Sequence, residues 1–330
     1  MSDVARVAGV ARVTVSRVLS NPASVAPATR AAVQEAIAKL GYVPNLNAGT
    51  LASSRSRIVG CIVPTLSNAW FAETIDGLSE VLADAGYQLL LGQSGYNASG
   101  EERLVDTFLG RRVDAMVLTG SERSDAVRHR LAAAGIPVVE TWDLGLEPLD
   151  MAVGFSNYAV GEAAAEHLLA RGCRFPAYIG VQEPRACKRL DGFTATLARH
   201  GMTPISVVSG PPPSSFDSGA LALHELLSLD ARIDGIFCSN DTLAAAALFE
   251  CHRQGWAVPD KIAVVGFSDQ PLAAAIVPSL TSVQIRSREL GAEAGRMLLR
   301  RLGSASAGKS DTGEHRIADM GFRIVARESA

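Results

Sequence analysis

From Ile58 onward, short continuous apolar runs alternate with segments of helical periodicity, such as Phe71–Ala85 and Leu243–Gln254. Strands that are apolar on both faces and separated by helices form parallel sheets with helices on both sides. We therefore predict an α/β body built from doubly wound parallel sheets. The strand-like runs are Ile58–Val63, Gln88–Leu91, Ala115–Leu118, Pro137–Val139, Ala177–Ile179, Ile205–Val208, Gly235–Phe237 and Ile262–Val265.

Polar clusters follow three of these runs at the point where each run ends. They are Thr65–Asn68, Thr119–Glu122 and Ser239–Asp241. Open parallel sheets bind ligands in the crevice outside the carboxyl ends of their strands. The sequence therefore predicts a small-molecule site at this edge of the body.

The first 44 residues have a different pattern, with three short helical segments at Asp3–Val10, Val13–Leu19 and Pro27–Leu40. The Asn21-Pro22 pair ends the second segment and Gly41 ends the third. Three short helices with a tight turn between the first two are typical of a helix-turn-helix unit. The polar segment that follows, up to Arg57, is typical of a linker.

The charge distribution separates this head from the rest of the chain. Residues 1–57 contain seven Lys or Arg residues and two acidic ones, a net charge of +5. Since the whole chain carries −3, the remaining 273 residues carry −8. A basic head on an acidic body is expected of a protein that binds nucleic acid through one small module.

Several classes of protein are disfavoured. No apolar run is long enough to span a membrane, and no positively charged and then apolar leader precedes the first helix, so we expect a cytoplasmic protein with five buried, reduced cysteines. The chain has no GxSxG, P-loop or HExxH motif and no Cys or His pair at metal-ligand spacing. We therefore expect neither an enzyme nor a metal or cofactor site.

Three motifs in order resemble the head of the LacI/GalR repressor family: DVARVAG at Asp3–Gly9, TVSRVL at Thr14–Leu19 and LGYVPN at Leu40–Asn45. The resemblance continues in the body at Cys238–Ala244 and Val264–Asp269. Two further stretches are most similar to the gluconate-utilisation repressors of that family, and these are Val153–Tyr158 and Ala247–Gly255.

The resemblance implies a helix-turn-helix DNA-binding domain at residues 1–44, a hinge linker at 45–57 and an effector-binding domain at 58–330. It implies that the effector-binding domain resembles periplasmic binding proteins and has two lobes, neither of them contiguous. We place lobe 1 at about 58–156 and 286–312, and lobe 2 at about 157–285 and 313–330.

In the head, the resemblance makes the helix near Arg12 the recognition helix, which enters the major groove. Arg12 suits a guanine edge and Val13 a thymine methyl group. Leu51 takes the position at which family members wedge a leucine into a minor-groove step. Ala11 stands where the family usually has serine, and alanine is a poor helix cap. The other DNA contacts that the resemblance implies are Thr14, Ser16, Arg17, Thr29 and Asn45.

In the body, the resemblance implies that Trp70 and Phe71 form a wall of the effector site, with Arg189 as its cation and Asn240 as a polar anchor. A guanidinium binds a carboxylate with two hydrogen bonds, as gluconate or a related sugar acid would require. At Ser268 many relatives carry aspartate, and a hydroxyl there removes a charge near an acidic ligand. Further site members are Glu140, Asp143, Asn157 and Phe216.

The expected function is a transcriptional regulator, most simply a repressor, that an effector releases from DNA. A homodimer, or a higher oligomer, matches a pseudo-palindromic double-stranded operator. One alternative is a solute-binding protein of a transport system, which shares the two-lobe body. Others are an activator, or a regulator whose effector is a neutral sugar or a phosphorylated sugar acid.

Overall fold

The computed structural model describes residues 1–43, 55–145, 147–208, 210–306 and 316–330, the side chains of residues 305 and 306 excepted. The chain forms two compact units, Met1–Ser56 and Arg57–Ala330. Residues 45–54 of the predicted linker lie outside the described residues, so its extent stays a prediction. In the described part, no helix is both long and apolar enough to cross a membrane.

The first unit is the predicted helix-turn-helix head. Its helices are α1 (Ser2–Val7), α2 (Arg12–Ser20) and α3 (Pro27–Leu40), with a short 3₁₀ turn at Pro22–Ser24. Gly41 ends α3 in the left-handed conformation, which glycine adopts without strain. The helices enclose a small apolar core of Val4, Ala5, Val15, Val18, Val33 and Ala36.

The second unit contains two six-stranded sheets whose strands are parallel except at one edge. One sheet has the order β11-β5-β4-β3-β1-β2 and the other β12-β10-β9-β8-β6-β7, with β12 antiparallel to β10. The predicted α/β architecture is therefore confirmed. The strands are β1 (Ile58–Val63), β2 (Gln88–Gln93), β3 (Ala115–Thr119), β4 (Val138–Thr141), β5 (Met151–Gly154), β6 (Pro176–Gly180), β7 (Ile205–Val208), β8 (Gly235–Cys238), β9 (Ala263–Ser268), β10 (Thr281–Gln284), β11 (Ile317–Asp319) and β12 (Arg323–Val325).

Helices lie between most consecutive strands, the described exceptions being β4 to β5 and β11 to β12, and they cover both sheets, as continuous apolar strands require. In chain order they are α4 (Ala69–Asp84), α5 (Ala98–Gly110), α6 (Asp125–Ala134), α7 (Asn157–Ala170), α8 (Pro184–Arg199), α9 (Phe216–Leu229), α10 (Asp241–Arg253), α11 (Pro271–Ala275) and α12 (Ser287–Ser306).

The chain passes between the lobes more than once, and one predicted boundary is wrong. The prediction places residues 313–330 in lobe 2, but Ile317–Asp319 pairs with β5 and extends the sheet of lobe 1. Only Arg323–Val325 joins the sheet of lobe 2. The crossover therefore lies between Asp319 and Arg323. Pattern alone misplaced it because a three-residue strand carries almost no periodicity.

Each lobe has one helix pair in which glycines bring two backbones into contact. In lobe 1, a Cβ at Gly77 of α4 would lie 2.0 Å from the carbonyl oxygen of Arg288 in α12. In lobe 2, a Cβ at Gly161 of α7 would lie 1.9 Å from the carbonyl oxygen of Arg189 in α8. No side chain fits at such distances, so these glycines set the spacing of the helices.

Four of the five cysteines are buried thiols, but Cys187 on α8 is exposed, so the prediction was wrong there.

The aromatic core extends from one lobe into the other. The ring centroids of Phe71 and Trp142 are 5.4 Å apart, and Phe155 lies 6.0 Å from both Trp142 and Phe267. This row of rings lies at the bottom of the space between the lobes.

Candidate functional site

Two adjoining cavities lie where the carboxyl ends of the strands of both lobes meet. The inner cavity has a volume of about 30 Å³ and the outer cavity about 210 Å³. Tyr96, Glu183 and Arg185 line both, and we call these three residues the neck. The inner cavity is bounded beyond the neck by Trp70, Phe71, Trp142, Arg189, Asn240 and Phe267. The outer cavity is bounded by Asn97, Glu101, Ser121, Glu122, Asp143 and Gln182.

Arg189 is the cation of the inner cavity and is only 6% exposed. Its Nη1 donates to the side-chain oxygen of Asn157, and its Nη2 donates to the backbone oxygen of Ser239 at 3.2 Å. The guanidinium carbon lies 4.1 Å from the centre of the Phe267 ring. Among the described residues Nε has no hydrogen-bond partner, and no carboxylate forms an ion pair with this arginine. An arginine stays charged even when buried, so the inner cavity holds a positive charge that lacks an ion-pair partner in the described part of the chain, and the carboxylate of Glu183 acts on it only at longer range.

The neck carries a second guanidinium, and this one is already paired. Arg185 forms an ion pair with Glu183, and its guanidinium carbon lies 5.4 Å from the centre of the Phe71 ring. Glu183 also caps α8 by accepting from the backbone N–H of Ala186 at 3.0 Å. Burial alone would raise the pKa of Glu183, but Arg185 and Arg189 hold this pKa below its usual value.

Sequence reasoning missed the neck, although the spacing of Arg185 and Arg189 could have identified Arg185. They stand four residues apart on α8, a spacing that places both on one face of the helix. Tyr96 had no comparable signal. Its backbone φ of 58° is unusual for a residue with a side chain, and its hydroxyl accepts a hydrogen bond from Asn68.

A network of polar contacts joins the lobes beside the outer cavity. Lys188 of lobe 2 extends its ammonium group to 2.6 Å from a carboxylate oxygen of Asp143 in lobe 1, and it also donates to Ser121 at 3.2 Å. The other carboxylate oxygen of Asp143 accepts from Asn157 at 3.0 Å. Burial would raise the pKa of Asp143, but the hydrogen bonds from Lys188, Ser121 and Asn157 hold it below its ordinary value.

The structure places five of the nine predicted effector residues along the cavities. Trp70, Phe71, Arg189 and Asn240 line the inner one and Asp143 the outer one. The amide of Asn240 donates to the hydroxyl of Ser214 at 2.7 Å, while its oxygen caps α10.

The other four predicted residues line neither cavity. Glu140 is turned inward and pairs with the buried Arg123 at 2.8 Å. Asn157 is buried between Asp143 and Arg189, and therefore orients them. Phe216 is half exposed, with its ring 5.9 Å from that of Phe249. Ser268 donates to the buried Asp241 at 3.3 Å.

The head presents a polar face of α2 to solvent. Arg12 and Ser16, like Val13 and Arg17, stand one helical turn apart and are exposed, Val13 by 60%. Thr14 and Thr29 are half-buried. Ala11 is the residue before α2 and supplies no side-chain cap, as expected. Asn45 and Leu51 lie outside the described residues.

Comparisons with known proteins agree with both units. The family described as "Bacterial regulatory proteins, lacI family" matches residues 1–45, and the "Periplasmic binding protein-like domain" matches residues 165–330. The HTH-type transcriptional regulator GntR of Pseudomonas aeruginosa is 40% identical over 100% of this chain and 95% of its own length.

Solved structures of transcriptional regulators are similar to this chain over its whole length. A LacI-family transcriptional regulator from Silicibacter pomeroyi has 33% identity and a TM-score of 0.91, over 99% of this chain and 98% of its own. The transcriptional regulator CelR, solved as a complex with cellobiose, has 30% identity and a TM-score of 0.70, over 100% of this chain and 99% of its own. From the head, the two-lobe body and these full-length relatives, we conclude that the chain belongs to the LacI family of DNA-binding transcriptional regulators.

Proposed function

We propose that this regulator is a repressor that a sugar acid such as gluconate releases from its operator. The observation that carries the proposal is the charge of Arg189, which is buried at the end of a cavity between the lobes without a carboxylate partner. Desolvating a cation without a counter-ion is costly, so the site favours a ligand that supplies the negative charge. The similarity to GntR regulators supports the same assignment.

The carboxylate of the effector would accept hydrogen bonds from Arg189, including its free Nε. Trp70 and Phe71 would cover the carbon next to the carboxylate, and Asn240 would orient the hydroxyl at that carbon. A ligand held by groups from both lobes stabilises one arrangement of the lobes over the other. In a dimer this shift changes the distance between two heads, and therefore their fit to two half-sites.

A homodimer, which could assemble further, is supported by apolar side chains exposed on lobe 2. The Phe216 and Phe249 rings lie against each other on α9 and α10 at the surface, and Leu221 and Val277 are also exposed, Val277 by 86%. Contiguous exposed apolar surface, as at the Phe216–Phe249 pair, marks sites of protein association. We propose that a second copy of the chain covers it.

The DNA contacts are proposed for the exposed side chains of α2, where Arg12 and Val13 read base edges and Ser16 and Arg17 lie beside them. Thr14, Thr29, Asn45 and the wedge Leu51 complete the proposed set. Arg12→Ala is expected to weaken operator binding by one to two orders of magnitude and to relax the preference for one base pair, because a bidentate contact discriminates by about 1–3 kcal/mol.

The test combines calorimetry with an operator shift assay on the full chain. Gluconate, 2-ketogluconate, 6-phosphogluconate and neutral sugars are titrated into the protein, and each is then added to the protein–operator complex. We expect heat from a sugar acid and release of the operator by the same acid. Absence of heat with every acid, or operator binding unchanged at saturating acid, would contradict the proposal.

A neutral saccharide is the second candidate effector, because the relative CelR is solved with cellobiose. The hydroxyls of a neutral sugar can also accept hydrogen bonds from an arginine. The two candidates differ in their dependence on charge. Arg189→Gln retains hydrogen-bond donors without the charge, so it should abolish binding of an acid and only weaken binding of a neutral sugar.

A further inference from the structure

The two cavities differ so much in volume that a ligand small enough for the inner cavity would leave the outer one empty. The inner cavity, at about 30 Å³, holds about two water molecules, which is the space of one carboxylate group. The outer cavity, at about 210 Å³, is seven times larger and is reached through the neck of Tyr96, Glu183 and Arg185. A ligand whose carboxylate lies at Arg189 must therefore extend through the neck if it is longer than a few atoms.

The outer cavity also differs from the inner one in the chemistry of its walls. Apart from the neck, which both share, the inner cavity presents the guanidinium of Arg189 and aromatic rings, whereas the outer cavity presents the carboxylates of Glu101, Glu122 and Asp143 beside the buried Arg123. Ionised carboxylates accept hydrogen bonds and donate none, so they select ligand groups that carry O–H or N–H donors. A second carboxylate of the ligand would be repelled there and would have no donor to offer these acceptors.

Glu101 is the acceptor in this wall that remains available. Asp143 is saturated by Lys188, Ser121 and Asn157, and Glu122 pairs with Lys188 at 3.4 Å. Glu101 is only 17% exposed, and the described residues offer its carboxylate no hydrogen bond. Its nearest cation is the Nε of Arg123 at 3.7 Å, and Arg123 is held more closely by Glu140. Burial accordingly raises the pKa of Glu101.

We propose that the outer cavity is a polyol compartment, in which Glu101 accepts hydrogen bonds from the hydroxyls of an effector whose carboxylate is bound by Arg189. The effector class is then an elongated polyhydroxy monoacid, selected by the length of its hydroxylated chain as well as by its charge. This inference rests on the proposed sugar-acid function and makes Glu101 a specificity-determining residue of that site.

The experiment compares a long and a short acid by calorimetry on the full chain. Gluconate represents the long chain, and glycerate represents a carboxylate with too few carbons to pass the neck. We expect gluconate to bind at least tenfold more tightly than glycerate. Glu101→Gln should weaken gluconate about tenfold and leave glycerate within twofold, because a hydrogen bond to a charged group accounts for at least that factor.

Three further variants make the result decisive. Arg189→Met should abolish the binding of both acids, since both use the inner cavity. Glu166→Gln, at an exposed carboxylate of α7 outside both cavities, is the matched control and should change neither. Gln182→Ala alters the outer cavity at an exposed side chain and should weaken gluconate alone by a few-fold, which keeps the test valid if Glu101→Gln unfolds.

The outcomes separate the two proposals. Equal affinity for the two acids, or equal losses for both in Glu101→Gln and Gln182→Ala, overturns the polyol compartment while leaving the sugar-acid effector in place. Absence of binding by any acid, or binding that survives Arg189→Met, overturns the proposed function and the polyol compartment together.

Discussion

Each lobe of the body arranges its strands in the same spatial order around the cleft and spaces one helix pair by glycine backbone contacts. The walls that the lobes present to the cleft nevertheless differ in charge. Lobe 1 contributes aromatic rings and the carboxylates of Glu101, Glu122 and Asp143, whereas lobe 2 contributes the ring of Phe267, one carboxylate, Glu183, and the cations Arg185, Lys188 and Arg189. The shared scaffold fixes where the cleft lies, and under the proposed function the unequal walls would decide which end of a sugar acid faces each lobe.

The glycine contacts test whether the two scaffolds are equivalent. Gly77→Ala in lobe 1 and Gly161→Ala in lobe 2 each drive a methyl group into a backbone carbonyl, so each should lower the free energy of unfolding by about 3 kcal/mol. Only Gly161→Ala displaces the backbone of Arg189, and it alone should weaken the acid effector in protein that remains folded. Chemical denaturation measures the free energy of unfolding, and calorimetry measures the effector affinity. An equal loss of effector affinity in both variants would contradict a specific role of the lobe 2 helix pair in positioning Arg189.

One variant from each lobe distinguishes the roles of the two walls in ligand binding. Arg189→Met removes the charge from the wall of lobe 2 and should abolish measurable gluconate binding, a loss of at least about 100-fold, or about 2.8 kcal/mol, because a cation without an ion-pair partner is lost. Phe71→Ala removes a ring from the wall of lobe 1 and should weaken acids and neutral polyols by the same factor. Titrations with gluconate and with glucitol distinguish the two patterns. A ligand-independent loss in Arg189→Met would contradict the assignment of charge recognition to lobe 2.

Two buried aspartates, one in each lobe, have pKa values shifted in opposite directions. Asp143 in lobe 1 has a cationic partner and a lowered pKa, whereas burial of Asp241 in lobe 2, with Ser282, Ser268 and the backbone of Gln270 as neutral donors and Asp269 nearby, raises its pKa to about 7. The folded state binds the proton of Asp241 more tightly than the unfolded chain does. Its contribution to the free energy of unfolding is therefore present below about pH 4 and lost as the pH rises to about 7.

Asp241→Asn should remove this loss and stabilise the protein above neutral pH, by on the order of 2 kcal/mol, since asparagine avoids the buried charge but sacrifices one acceptor. Asp143→Asn should instead destabilise at the same pH, because Lys188 loses its counter-ion. Denaturation curves between pH 4 and pH 8 measure both changes. Parallel pH dependences for wild type and Asp241→Asn would contradict the titration of Asp241.

The smallest expected effect concerns the bridge between the walls. Lys188→Met breaks the contact with Asp143, and because this lysine is 30% exposed its loss should cost about 1 kcal/mol, or roughly fivefold in effector affinity. The factor should be the same for every ligand, since Lys188 joins the two lobes and lines neither cavity. Lys261→Met, at a lysine stacked on Trp256 in lobe 2, is the matched control. A factor that differs between long and short acids would mean that Lys188 contacts the ligand directly.

Much of this protein was determined by local sequence. The helix Pro27–Leu40 and the strands Ile58–Val63 and Ile205–Val208 have the predicted bounds, because proline, glycine and continuous apolar runs act through the chain near them. The order of the head motifs sufficed for the family and for its DNA-binding role. Arg189 and Asn240 could be predicted to lie at the cleft because family motifs carry them, and both line the inner cavity.

Only the tertiary structure decided which polar side chains meet in the cleft. Glu140 and Asp143 are three residues apart, yet one turns inward to Arg123 and the other faces the outer cavity. Glu101, Tyr96 and Arg185 come from separate elements of both lobes, so no local pattern connects them. The strand Ile317–Asp319 likewise exists through its pairing with β5. Contacts between distant segments depend on how helices and sheets pack, and a periodicity of two or 3.6 residues carries no information about that packing.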